Sequence, residues 1–373
     1  MKNQALKNNL RKPRNTNLEL FRIISMLFII AHHYVVNSGM MNVMNQTPFA
    51  PNSLFFYFFG AWGKTGINCF VMITGYFMCK SHITFKKFLK LLPEYEFYKI
   101  VIYIILAFTG VEVFSLGRLF WAFVPVKTIS DGFVPAFIVF YLFIPFLNVL
   151  INGISEKMHI RLLILCLFLY TVLSTMIDFD VTMNYVSWFI VIYFIASYVR
   201  LYPRKIYDNN IFWFITSVTC ILFSTLSILG CLKFGVNPPY YFISDSNKLF
   251  AVVTSFCLFM FFNSLNIRYN RFVNLIASTT LGILCIHAHS DAMRKWLWVD
   301  VLHNVEVFNS SKCYIHFLIS VVSVFLICTI IDLFRIFALE KPLFKVFDSF
   351  FPKINSKLII SEENVLNKFK IKS

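Results

Sequence analysis

Apolar residues run through this chain in long, almost uninterrupted stretches. They show neither the strict alternation of half-buried strands nor the narrow stripe of a surface helix. A helix needs about 20 apolar residues to cross a hydrocarbon core. The pattern predicts ten such helices, over 18–37, 64–80, 91–109, 132–151, 160–177, 185–200, 210–230, 248–264, 276–291 and 313–337. A further apolar stretch, 51–62, is too short to cross beside 64–80 and reads as an interfacial or re-entrant piece. The expected fold class is an all-α integral membrane bundle of about ten transmembrane helices.

The polar segments between the apolar runs sort by charge. An even number of crossings puts both termini on one side. That side carries 24 of the 34 Lys and Arg residues and the other side seven, so the basic bias predicts cytoplasmic termini. The remaining three, Arg22, Lys64 and Lys99, stand within or at the edge of apolar runs. The net charge of +16 is thereby an orientation signal, and nucleic acid is set aside as a partner. The expected organisation is a basic cytoplasmic tail over 1–16, a membrane domain over 17–345 and a Lys-rich cytoplasmic tail over 346–373. The first apolar run is too long for the core of a signal peptide and reads as the first membrane helix.

Composition agrees. Residues are 58% hydrophobic and 14% charged, against roughly 25% charged in soluble domains. The nine cysteines are scattered, most within predicted spans, with no C-x-x-C pair and no zinc-like cluster, so no metal is expected. Cys231 and Cys313 fall in predicted outer loops, where a pairing stays open. There is no P-loop, no G-x-S-x-G and no internal repeat, and no attached soluble catalytic domain is expected.

Candidate chemistry begins in the first predicted span, NLELFRIISMLFIIAHHYVVN (17–37). Ionisable groups inside a membrane helix are costly and read as functional by default. Glu19 and Arg22 are three residues apart and can pair on one face. Arg22 and His33 are eleven apart, close to three full turns, so they share a face about 16 Å apart along the axis. His32 points about 100° away and is expected to be dispensable. Lys64, beside two glycines at the outer mouth of the second span, suits either an interfacial anchor or a contact to an anionic acceptor. Lys80, Lys86, Lys87 and Lys90 form a cytoplasmic cluster able to attract phosphates. Asp332 and Arg335 have the spacing of a structural pair, and the alternation of His287, His289 and Asp291 argues against a shared metal.

The stretch LELFRIISMLFIIAHHY resembles the first helix of the membrane acyltransferase 3 family, whose hallmark is an Arg or Lys, ten residues, then His, with an acidic residue three before the cation. Glu19, Arg22 and His33 occupy those places. GKTGINCFVMITGYFM (63–78) resembles the family's second helix, with Thr74 where Ser is usual, then Gly75 and Tyr76. FVPAFIVFYLFIPFLN (133–148) resembles the helix carrying Tyr and Pro, here Tyr141 and Pro145. STTLGILCIHAHS (278–290) resembles the late segment ending in Ile-His, giving His287, and IDLFRIFALEKPLF (331–344) the final helix and its exit. The likeness runs over about 17–345. The chain departs from it in the Lys-rich stretch after the second helix and in Glu94 and Glu96.

The resemblance implies transfer of an acyl group, usually acetyl, from cytoplasmic acyl-CoA to a hydroxyl of a glycan. No permanently bound cofactor is implied. His33 would act as general base or acyl carrier, Arg22 would grip a CoA phosphate or stabilise an oxyanion, and Glu19 would orient Arg22. Lys64, Tyr76, Tyr141, His287, Lys86 and Lys87 are the further candidates for binding acyl-CoA or acceptor. The expected setting is the plasma membrane of a bacterium, with membrane lipid, acyl-CoA and an envelope polysaccharide, such as a capsule or exopolysaccharide, as partners. The competing expectation is a transporter or flippase of a lipid-linked glycan, which intramembrane Arg and His also suit. A glycan polymerase usually needs larger outer loops than those here.

Overall fold

A computed structural model describes residues 15–81, 85–129, 132–177, 179 and 184–347, apart from the side chains of 85 and 86. Among these residues there is no strand. The helices are α1 (Thr16–Val36), α2 (Pro51–Gly60), α3 (Gly63–Met78), α4 (Phe85–Phe108), α5 (Leu116–Ala122), α6 (Phe133–Gly153) and α7 (Glu156–Met176). Then come α8 (Tyr185–Leu201), α9 (Asn210–Phe234), α10 (Leu249–Ser264), α11 (Arg271–Ala277), α12 (Thr280–His287), α13 (Asp291–Lys295), α14 (Cys313–Arg335) and α15 (Lys341–Phe347). A few shorter turns of helix join them.

Five described segments are long and apolar enough to cross a membrane: α1, α6, α7, α9 and the run Cys313–Phe347. Six qualify if the bent pair Arg271–His287 and Asp291–Val307 counts as one span. Three other apolar helices are short: α3 and α10 have 16 residues and α8 has 17. Helix α4 has 24 residues but carries several charges.

Sequence and capping chemistry set the helix ends. The Asn15 side chain accepts from the Asn17 amide at 3.0 Å to start α1. Asn184 and Ser187 form a reciprocal capping box at α8. Gly235, at φ +70°, closes α9 in the left-handed conformation that glycine adopts most readily.

The stretch 276–291, expected as one span, is broken. Helix α11 ends at Ala277 and α12 begins at Thr280. The reason lies in SerThrThr: the Ser278, Thr279 and Thr280 hydroxyls donate to the carbonyls of Leu275, Ile276 and Ala277 at 2.7, 2.7 and 2.9 Å. The Ser278 and Thr279 amides also reach the Leu275 and Ile276 carbonyls, at 3.1 and 3.0 Å, so the break keeps its backbone acceptors bonded in an apolar interior. The chain then bends by 94° between Arg271–His287 and Asp291–Val307. The expected outer connections are also partly helical, with α5 in one and α13 in the other.

Helices α1, α3, α8 and α10 pack together at the centre. Helices α7 and α9 are peripheral, with only 17% and 22% of their apolar windows buried. Close approach of α1 and α3 needs Gly66, where a Cβ would stand 2.9 Å from Ile29 Cγ1 and 3.0 Å from the Ser25 carbonyl oxygen. Buried amides stitch the centre. Asn68 Nδ2 donates to the Ser246 carbonyl at 2.7 Å, and its Oδ1 accepts from Trp188 Nε1 at 2.9 Å. Asn17 Oδ1 accepts from the Ile267 amide at 2.8 Å, and Thr16 Oγ1 from the Asn270 amide at 3.0 Å, tying the start of α1 to the loop after α10. With each such group paired, polar residues hold helices in register without an unmet desolvation penalty. All nine cysteines are free, Cys231 and Cys313 included.

Candidate active site

The polar face of α1 is met by the broken segment. His287, at the end of α12, places Nε2 3.0 Å from Nδ1 of His33. His287 Nδ1 lies 2.6 Å from the Ile283 carbonyl oxygen of its own helix. A carbonyl only accepts, so His287 Nδ1 carries the proton and Nε2 offers a lone pair. His33 Nδ1 is then the donor, and its Nε2 keeps a free lone pair. The relay holds His33 in the one neutral tautomer that can act as a base at Nε2. Its geometry is set by the α12 backbone, since the helical carbonyl four residues back is in fixed register with the His287 ring.

Two cavities lie along this face. The larger, of about 370 Å³, is lined by His32, His33, Lys64, Lys99, Tyr185 and Arg294 among others. The smaller, of about 230 Å³, is lined by Arg22, Thr74 and Lys90 with mostly apolar neighbours. Ile29, Phe133 and Leu284 line both. The face that joins Arg22 to His33 therefore carries one cavity at each end, with an apolar collar between.

Apart from the Lys86 side chain, each candidate from the sequence can be located. Arg22 Nη1 lies 3.3 Å from Glu19 Oε2, with the Glu19 side chain buried, as the three-residue spacing predicts. Lys64 Nζ donates to the Tyr185 hydroxyl at 2.7 Å and lies 3.2 Å from Asp245 Oδ1, so it belongs to the larger cavity and not to a bare interface. Tyr76 lines neither cavity. Its hydroxyl accepts from Arg200 Nη1 at 2.9 Å under a guanidinium 4.7 Å from its ring. Tyr141 is buried against Phe137, also outside both linings. Lys87 is exposed and donates to Ser81 Oγ at 2.6 Å. The Lys86 side chain lies outside the described residues.

His32 corrects the expectation that it faces away and stands apart. It bonds the Gly60 carbonyl through Nδ1 at 2.5 Å, yet it lines the larger cavity, with its ring 5.7 Å from that of His33. Here Gly63 removes the Cβ that would sit 2.3 Å from the His32 ring, and α3 folds around it. Tyr98, Lys99, Tyr185 and Arg294 were not singled out as site residues. Lys99 carried a signal in its place within an apolar run, whereas tyrosines and an outer-loop arginine are ordinary at membrane interfaces.

The Asp332 and Arg335 pair is larger than its spacing suggests. Arg335 contacts Asp332 Oδ1 at 2.7 Å, Glu340 Oε2 at 2.9 Å and Glu94 Oε1 at 3.0 Å. Lys90 contacts Glu340 Oε1 at 2.8 Å, and the Tyr98 hydroxyl donates to Asp332 Oδ1 at 2.7 Å. Tyr98 lines the larger cavity and Lys90 the smaller, so this network braces α4 and α14 behind both. It also accounts for Glu94, which had no partner in the linear pattern. Among the described residues no group of three or more His, Cys, Asp or Glu is placed to hold a metal.

Comparison with known families decides what such a face belongs to. The acyltransferase 3 family model, described as an acyltransferase domain, matches residues 15–333. The chain belongs to the acyltransferase 3 family. No curated protein and no solved structure matches it. The family assignment and the apolar helices together make this a membrane acyltransferase. In this acyltransferase the matched region takes in Arg22, His33, both cavities and the α12 relay.

Proposed function

We propose that this membrane acyltransferase moves an acetyl or similar acyl group from cytoplasmic acyl-CoA to a hydroxyl of a cell-envelope polysaccharide or its lipid-linked precursor, in a bacterial plasma membrane. The observation that carries the reading is the His33–His287 relay at one cavity, with Arg22 and Lys90 at the other, along a single helix face. The basic bias of the sequence supports ten crossings with both termini cytoplasmic. On that count α3, α8 and α10 are spans shorter than lipid would demand, which suits helices enclosed by others.

In this orientation Arg22 and Lys90 face the donor side. Both are basic side chains of the kind that bind CoA phosphates, and Glu19 orients Arg22. The thin pantetheine arm suits the collar of Ile29, Phe133 and Leu284, where it would carry the thioester toward His33. There the acceptor hydroxyl gives its proton to His33 Nε2 while its oxygen attacks the thioester carbon. The carbon–sulfur bond breaks, and the imidazolium returns the proton to the thiolate, so CoA leaves as the thiol. His287 Nε2 stabilises the imidazolium through Nδ1–H of His33, which is worth most in a dry site.

The test is nuclear magnetic resonance of surface glycan from cells carrying wild-type or His33→Ala protein, with protein level matched. Loss of O-acyl signals in the variant is expected. Intact signals would refute the reading. A flippase would instead leave isolated membranes without any acyl-CoA-dependent labelling of glycan.

A further inference from the structure

Attack on a thioester builds negative charge on its carbonyl oxygen. His33 and His287 handle the proton and leave that charge unmet. A preorganised hydrogen-bond donor is the usual answer, and the larger cavity holds one. Tyr185, the first residue of α8, lines it together with His33. Its hydroxyl oxygen accepts from Lys64 Nζ at 2.7 Å. An ammonium only donates, so the phenol hydrogen is not spent on Lys64. No described residue accepts that hydrogen. Lys64 is itself held by Asp245 at 3.2 Å, so the cation that fixes the hydroxyl is neutralised and anchored. A phenol that accepts from a cation also donates more strongly, because hydrogen bonds in series polarise one another.

The ring is placed as firmly as the hydroxyl. Tyr185 stacks on Phe189, with centres 5.4 Å apart and planes within 21°. Phe189 in turn packs at 5.4 Å against Phe133, a residue of the collar through which the pantetheine arm would enter. The capping box of Asn184 and Ser187 fixes the first turn of α8. Tyr185 therefore stands where the collar opens toward His33. Resting on the transferase reading above, we infer that Tyr185 is a catalytic residue, the oxyanion donor of acyl transfer, and that Lys64 is the positioning residue that orients its hydroxyl. As the acceptor oxygen bonds to the thioester carbon, the carbonyl π pair moves onto oxygen, and the Tyr185 O–H donates to it. The pair then returns to re-form the carbonyl as the carbon–sulfur bond breaks. Tyr185 keeps its proton throughout.

The test follows label from acetyl-CoA into endogenous glycan in isolated membranes that carry the full-length chain at matched level. Initial rates are measured across acetyl-CoA concentrations. Tyr185→Phe keeps the stack on Phe189 and is expected to lower Vmax about a hundredfold, with KM for acetyl-CoA unchanged. Lys64→Met is expected to lower Vmax about tenfold, since the hydroxyl is then free to turn. Asp245, left alone in that variant, is 43% exposed and stays hydrated. The double variant is expected to be no slower than Tyr185→Phe, the mark of two groups acting as one unit. A Vmax for Tyr185→Phe within twofold of wild type would overturn the inference. So would a raised KM with Vmax kept, which makes Tyr185 a donor-binding contact. A double variant slower by the full Lys64→Met factor would overturn the role of Lys64. Failure of the transferase reading shows separately, as wild-type membranes that transfer no label.

Discussion

Replacing Arg335 by methionine removes the one guanidinium that three acidic side chains share. Asp332 lies 2.7 Å from it, Glu340 2.9 Å and Glu94 3.0 Å, and the exposures of these carboxylates are 0%, 11% and 4%. In Arg335→Met the Tyr98 hydroxyl still donates to Asp332, and Lys90 still meets Glu340. Glu94 loses its 3.0 Å ion pair and Asp332 its 2.7 Å one, while both remain buried. Breaking one side of a buried ion pair costs about 3–5 kcal/mol, because the orphaned charge stays out of water. At roughly 2 °C per kcal/mol for a chain of this size, the melting temperature falls by about 6–10 °C. Fluorescence-detected size-exclusion chromatography after heating in detergent reads this directly. Adding Glu94→Gln removes one of the two orphaned charges, so the double variant is expected to recover part of the loss as a coupling term. A fall below about 2 °C in Arg335→Met, or a double variant no more stable than the single, would refute the reasoning.

Other expectations follow from the same geometry. His287→Ala removes the acceptor that holds the His33 tautomer, so acyl transfer should drop by roughly a hundredfold in initial rate while the folded yield holds. Leu284→Trp fills the collar between the cavities, and transfer should be lost although acetyl-CoA still protects the protein against heat. Gly282→Ala would place a Cβ 2.3 Å from the Asp332 carboxyl carbon, and displacing that group should destabilise by about 1–3 kcal/mol in the same heating assay. Asn68→Leu unpairs Trp188 Nε1 and the Ser246 carbonyl, so a loss of about 1–3 kcal/mol is expected, with misfolded aggregate visible at the void volume.

Much of this protein was legible before any coordinates. Apolar run lengths announce a helical membrane protein, because lipid offers backbone groups no partner and only helices satisfy them within one segment. The distribution of lysines and arginines supports the orientation proposed above, on the strength of the sequence alone. The pairing of Glu19 with Arg22 and their shared face with His33 follow from helical pitch, a property local to one segment. The break at 278–280 was less visible, since hydroxyl side chains sit in intact membrane helices too. There the Ser278, Thr279 and Thr280 hydroxyls turn back onto the last carbonyls of α11, a geometry that only the folded backbone fixes.

The site itself is a tertiary fact. His33 meets His287 across 254 residues, and Arg335 on α14 meets Glu94 on α4. His32 is drawn into the same chamber because Gly63 lets α3 close over it. Tyr76 and Tyr141, named by resemblance to family segments, instead pack away from both cavities. Periodicity records which side of its own helix a residue occupies. Which helix faces that side is set by packing, where a missing Cβ or a buried amide on a distant segment decides how closely two faces approach.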